Sequence, residues 1–357
     1  MIRTYLILVT LFLFLLILMI YVYLIWKKFI NIQYQNRKKV WIEQHMEEIE
    51  VYFITGEGAS SFIPSEDYQF EAIEDFSSDY LSNFKTEGHF NPMKTFVEHY
   101  YVPRYRKKLV HSRWSVRMNT LYFIDLFKIE MMQEDLLKCL KRKQCSPEER
   151  YQIYLILADF NYVYLQDLIK GSKGLPPFLL KEILSRMIIP NNFESYVQDF
   201  YDFPYEWRLS ILDVFGDKNL RSLKLQELLE TLLNANEREM RVRAAKTIAS
   251  LEYISSPDVI IRILDENFEK KEWQDPRSMS ERMMLARLMG SIREERFLPY
   301  LNLLISDKGY IVRSEAAKSI RKYKNGREML LSIIAEHPDN YARNIAKEWM
   351  ERSMDYE

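Results

Sequence analysis

The sequence predicts an all-α protein, with a single N-terminal transmembrane helix followed by a right-handed α-solenoid of helical pairs. Three observations predict it. Only 9 of the 357 residues are Gly and 12 are Pro, so few positions suit tight turns, strand crossings or phosphate-cradling loops. A charge-free apolar run opens the chain. A short Arg-led helical block then recurs through most of the remainder. Hydrophobic residues at 48% and aromatic residues at 14% supply a large core and exclude wholesale disorder.

The apolar run extends from Tyr5 to Trp26, 22 residues without a charge. As a helix it measures about 33 Å, enough for a hydrocarbon core of about 30 Å. A cleaved secretory signal has a shorter apolar run and a small-residue cleavage site, and this segment ends instead in Tyr-Leu-Ile-Trp-Lys-Lys. Tyr21, Tyr23 and Trp26 suit the aromatic belt of a membrane interface. Only Arg3 precedes the run, whereas Lys27, Lys28, Arg37, Lys38 and Lys39 follow it. The positive-inside rule therefore expects a single-pass protein with its N-terminus outside and its C-terminal domain in the cytoplasm. Those five basic residues also suit anionic headgroups. Cys139 and Cys145 are too few for a disulfide framework, and reduced thiols are expected.

Residues 1–28 are thus expected to form the anchor, 29–67 a juxtamembrane stalk and linker, and 68–357 the solenoid. Thr55–Asp67 carries two glycines, three serines and a proline, the punctuation of a loop. The following stretch, Tyr68–Phe84, sets Phe70, Ile73, Phe76, Tyr80 and Phe84 at helical intervals, with Glu71, Glu74, Asp75 and Asp79 between them. That pattern predicts an amphipathic helix with an acidic outer face. Charge is unevenly spread: residues 41–100 carry 13 acids and two lysines. Everything beyond residue 40 sums to −7, which argues against nucleic acid as a partner, since phosphate neutralisation drives such binding.

The repeat blocks place Arg117, Arg150, Arg208, Arg243, Arg282, Arg313 and Arg343 directly before helical runs. With Lys181 standing in for Arg in a divergent block, eight units of about 32 residues cover the chain from roughly residue 90. Second helices lie between them, such as Leu220–Leu233 and Gly326–Ala335. Such pairs bury their apolar stripes against their neighbours. The blocks MRVRAAKTIASL and YIVRSEAAKSI resemble the second helix of HEAT repeats, of the armadillo-like α-solenoid family, as a membrane-anchored bacterial-type member. Acids at Asp202, Glu237, Asp275 and Asp307 resemble that family's inter-helix acid, and Pro103 and Pro299 its first-helix proline. The resemblance implies that Arg and turn acid bond between neighbouring repeats and that the second helices, with Lys246 and Lys318, line a concave face.

Catalytic signatures are missing. The histidines (His45, His89, His99, His111 and His337) show no metal-ligand spacing, and no nucleophile elbow, P-loop or dinucleotide fingerprint occurs. No cofactor and no metal are expected. One basic patch stands out in HYYVPRYRKKLVHSRWSVR, where Arg104, Arg106, Lys107, Lys108 and Arg113 occur without an acid. It suits anionic lipid, an acidic partner or the chain's own acidic helix over 66–79, and its closeness to that helix favours the last. The function expected is a membrane-tethered cytoplasmic scaffold or adaptor that binds a protein partner, by family analogy a membrane enzyme such as a glycosyltransferase. The alternative is a HEAT-like lyase or ligand-binding regulatory protein.

Overall fold

A computed structural model describes residues 2–58, 61–83, 90–170, 175–254, 256–268 and 278–352. Among these the regular structure is helical throughout, with no strand. The chain divides into two compact units, Met1–Phe160 and Asn161–Glu357, a division by packing that falls well beyond the 67/68 boundary read from composition.

The first unit holds α1 (Ile2–Thr55), α2 (Asp67–Asn83), α3 (Phe90–Tyr100), α4 (Val102–Lys108), α5 (Trp114–Leu126), α6 (Gln133–Leu140) and α7 (Pro147–Asp159). With no Gly or Pro between Ile2 and Thr55, nothing interrupts α1. It is long and apolar enough to cross a membrane, and its apolar window buries nothing within the protein. Its second half behaves differently. Trp41, Ile49, Tyr52 and Phe53 are buried, a stripe at helical spacing that packs on α2 and α3. Tyr52 meets the edges of Phe62 and Phe96 at 5.6 Å, and Phe53 meets Tyr80 at the same separation. The expected stalk is therefore part of a core. Deleting residues 1–40 would remove buried Lys38 and expose its partners, and a fragment starting at 65 would lose the whole stripe.

Pro103 separates α3 from α4, because it has no N–H to offer the carbonyl of His99 and tolerates only the first turn of a helix. A capping box opens α7: the Ser146 hydroxyl accepts from the Glu149 N–H, and Glu149 accepts from the Ser146 N–H.

In the second unit, α8 (Leu165–Lys170), α9 (Pro177–Met187) and α10 (Phe193–Gln198) lead into α11 (Tyr205–Asp217), α12 (Leu223–Leu232) and α13 (Arg238–Leu251). They are followed by α14 (Pro257–Phe268), α15 (Met279–Ile292), α16 (Leu298–Leu304), α17 (Tyr310–Arg321), α18 (Gly326–Glu336) and α19 (Asn340–Glu351). Alternate helices pack in sequence: α9 on α11, then α13, α15, α17 and α19, while α12, α16 and α18 rest against this row. Small residues bring the row close together. Ala244, Ala245, Ala316, Ala317, Ala342 and Ala346 are buried. At Gly290 a Cβ would lie 2.4 Å from Ser319 Oγ and 2.8 Å from its Cα. Scarce glycine has a second consequence. Lys128, Asn161, Asn219, Glu252 and Arg293, just past the ends of α5, α7, α11, α13 and α15, all adopt positive φ between 49° and 60°, the left-handed position that helix ends usually give to Gly.

Candidate interaction surfaces

Of the five basic residues after the apolar run, Lys27, Lys28, Arg37 and Lys39 are exposed along α1. Lys38 is not. Its side chain is buried, with Nζ 2.5 Å from Asp75 and 3.7 Å from Glu71 on α2. One turn earlier, the Tyr34 hydroxyl is pushed up to about 12 by burial and by Glu71. Composition assigns Lys38 to the headgroup layer, whereas packing gives it to the acidic face of α2.

That face also takes up part of the basic patch. Arg104 donates to Asp67 at 2.6 Å and lies over the Phe70 ring, and Lys108 sits 3.5 Å from Glu74. Arg106 turns instead to Asp135 on α6 at 2.9 Å. Lys107 and Arg113 are exposed. Between α1, α2, α4 and α5 lies a cleft of about 640 Å³, lined by Lys38, Glu71, Glu74, Asp75, Asp79 and Lys108, with Tyr122 and Phe123 on the α5 side. Glu74 is almost fully buried at its floor. Burial raises its carboxyl, and Lys108 offsets that only in part.

The repeat arginines form a recurrent arrangement. Arg117 Nη1 donates to the carbonyls of His111 and Ser112, six and five residues back, while Nε and Nη2 grip Glu149 at 2.5 and 3.1 Å. Arg241 repeats both contacts, with the carbonyls of Ala235 and Asn236 and with Glu281 at 2.6 and 3.0 Å. Arg313 reaches the carbonyls of Asp307 and Lys308, and Arg343 that of His337. In MRVRAAKTIASL the repeat position thus belongs to Arg241. Arg243, two residues on and about 200° around the helix, pairs with Asp213 of α11 and with Glu239.

Arg282 grips Asp307 at 2.6 and 3.0 Å, so one turn acid does join neighbouring helices. Glu237 caps α13 without a side-chain bond, and Asp275 lies outside the described residues, as does His89. Among the described residues, Arg150 and Arg208 make no such carbonyl bonds; Arg208 lies over the Tyr205 ring. The acids that accept in two units, Glu149 and Glu281, each directly precede an Arg. That Glu-Arg pair is the signal that finds them.

Charged side chains also link the α9–α19 row. Lys181 pairs with Asp217 at 2.5 Å, Lys246 with Asp213 at 2.8 Å and Arg287 with Glu315 at 3.1 Å, while Lys318 lies over the Trp349 ring. Burial, then Arg243 and Lys181, push the Lys246 ammonium below its ordinary range. Both cysteines are free thiols, pushed up by burial. Among the described residues no three His, Cys, Asp or Glu side chains are placed to hold a metal ion.

No protein-family description and no curated protein matches this chain. Among solved structures, the crystal structure of an engineered protein aligns over 80% of this chain and 81% of its own, at 14% identity and a TM-score of 0.32, too distant a likeness to define the fold.

Proposed function

We propose that the protein is a membrane-tethered cytoplasmic scaffold whose HEAT-like α-solenoid binds a protein partner, with a membrane enzyme such as a glycosyltransferase as the partner class. The observation that carries this reading is α1. An exposed apolar half and a half packed into the first unit belong to one uninterrupted helix. A solvent-exposed apolar stretch of this length is costly in water and favourable in a bilayer. Joining it to a folded unit without a hinge holds that unit close to the surface, which raises its effective concentration for membrane partners. The alternating row in the second unit supports the solenoid, because each helix from α9 through α11, α13, α15 and α17 to α19 packs on the next member of the row in the manner of stacked repeats.

The test is truncation before Tyr34, for example removal of residues 2–28, which leaves every buried residue of α1 in place. The expected result is a folded soluble protein that no longer copurifies with membranes and loses crosslinks to its partner at native expression, with partial recovery on overexpression. Unchanged crosslinking at native levels would show that tethering plays no part. A C-terminal cysteine labelled from outside intact cells would reverse the orientation.

A further inference from the structure

We propose that the α4–α5 and α6–α7 turns of the first unit form a second membrane contact, a basic surface that meets anionic lipid headgroups. This contact presupposes α1 as a tether and adds the face by which the tethered unit lies on the bilayer. From α3 to α7, among the described residues, six cations have no carboxylate partner: Lys107, Arg113, Lys141, Arg142, Lys143 and Arg150. Every other lysine and arginine there has an acid within 4.0 Å. All six lie on or next to these two turns. Arg142 donates to the Leu109 carbonyl at 3.2 Å, and the Trp114 indole donates to the Ser146 hydroxyl at 3.1 Å. Those bonds join the turns into one surface. Glu148, the exposed acid beside them, accepts from Ser146, and the surface keeps a large positive excess that favours an anionic counterpart.

Height, composition and shape select lipid as that counterpart. Tyr34 lies eight residues beyond Trp26, about 12 Å along α1. It is within electrostatic reach of Asp67 and Arg104, which sets the start of α4 close to that height. The headgroup layer fills about 5–7 Å of the distance, and what remains is inside the Debye length of about 8 Å. Trp114 is 47% and Val110 56% exposed amid the cations, the mixture of aromatic, aliphatic and basic side chains that suits a membrane interface. The hollow between the turns measures about 30 Å³, room for a water but not for the anchoring side chain of a protein partner.

The test is lysine acylation of the full chain in vesicles by a membrane-permeant succinimidyl ester, read by mass spectrometry. Adding phosphatidylserine to phosphatidylcholine should lower acylation of Lys107, Lys141 and Lys143 about threefold or more, and high salt should reverse the effect. Lys128, beyond the far end of α5, should not respond. Lys141→Glu combined with Lys143→Glu should abolish the lipid dependence at Lys107, and Trp114→Ser should reduce it; circular dichroism of each variant controls for folding. Equal acylation in both lipids, or equal protection of Lys128, would overturn the assignment. So would protection that appears only in native membranes, which points to an acidic protein instead. Release of the chain from vesicles by alkaline carbonate is a separate failure, because it removes the tether itself.

Discussion

Truncating Arg241 to Ala tests the reading of the arginine ladder most directly. The substitution removes two charge-assisted bonds to Glu281, at 2.6 and 3.0 Å, and two bonds to the carbonyls of Ala235 and Asn236. The Glu281 side chain is only 7% exposed, so its charge is left buried without a partner. Breaking a buried pair from one side costs about 3–5 kcal/mol. Arg241 is itself 26% exposed, and water entering the vacated space solvates part of Glu281, which lowers the expectation to about 2–4 kcal/mol. Arg243→Ala should cost less, about 0.5–1.5 kcal/mol, because Lys246 still neutralises Asp213. Hydrogen exchange of amides in α13 and α15, measured on the full chain in detergent, reads each change locally, which matters in a protein of two units. Adding Glu281→Gln to Arg241→Ala should recover about half the loss, since the stranded charge is gone. Equal costs at Arg241 and Arg243, or no recovery in the double variant, would refute the reasoning.

Gly290→Ala should destabilise the second unit by about 2–3 kcal/mol through overpacking, seen as a lower urea midpoint; Ser319→Gly should restore only part, because the Ser319 Cα remains 2.8 Å from the added methyl. Burial pushes the Glu149 carboxyl up, but the Arg117 hydrogen bonds and the Ser146 N–H outweigh it, and the net shift is downward. A carboxyl lowered on folding contributes stability above its unfolded value of about 4.3 and loses it as pH falls through the folded value. Melting temperatures measured from pH 7 down to pH 3 should therefore fall less steeply in Arg117→Ala than in the parent, from a lower start.

Much of the helical architecture was legible in the residues. Low Gly content, the run from Tyr5 to Trp26 and the Arg-led blocks all translate into helices, because periodicity and capping are local properties. The sites were less legible. MRVRAAK offers two arginines, and only the positions of Glu281 and Asp213 on neighbouring helices decide which does what. Lys38 has the same composition-level signature as Lys27 and Lys28; its burial depends on α2 returning to lie against α1, a contact some 37 residues away in the chain. The cleft is likewise assembled from four helices, and no spacing within a single one announces it.

The absence of Gly and Pro from α1 has a mechanical corollary. A helix advances about 1.5 Å and turns about 100° per residue, so the azimuth of the first unit is fixed relative to the apolar rod. One residue inserted between Trp26 and Tyr34 would swing the cleft through more than a quarter-turn while raising it by little more than an ångström. Two insertions would turn it nearly to the opposite side, and seven would bring it back close to its starting direction, about 10 Å higher. Heading and height can thus be dialled almost separately, and a rotation of the apolar end is carried along the same unbroken helix to the contact between Lys38 and Asp75.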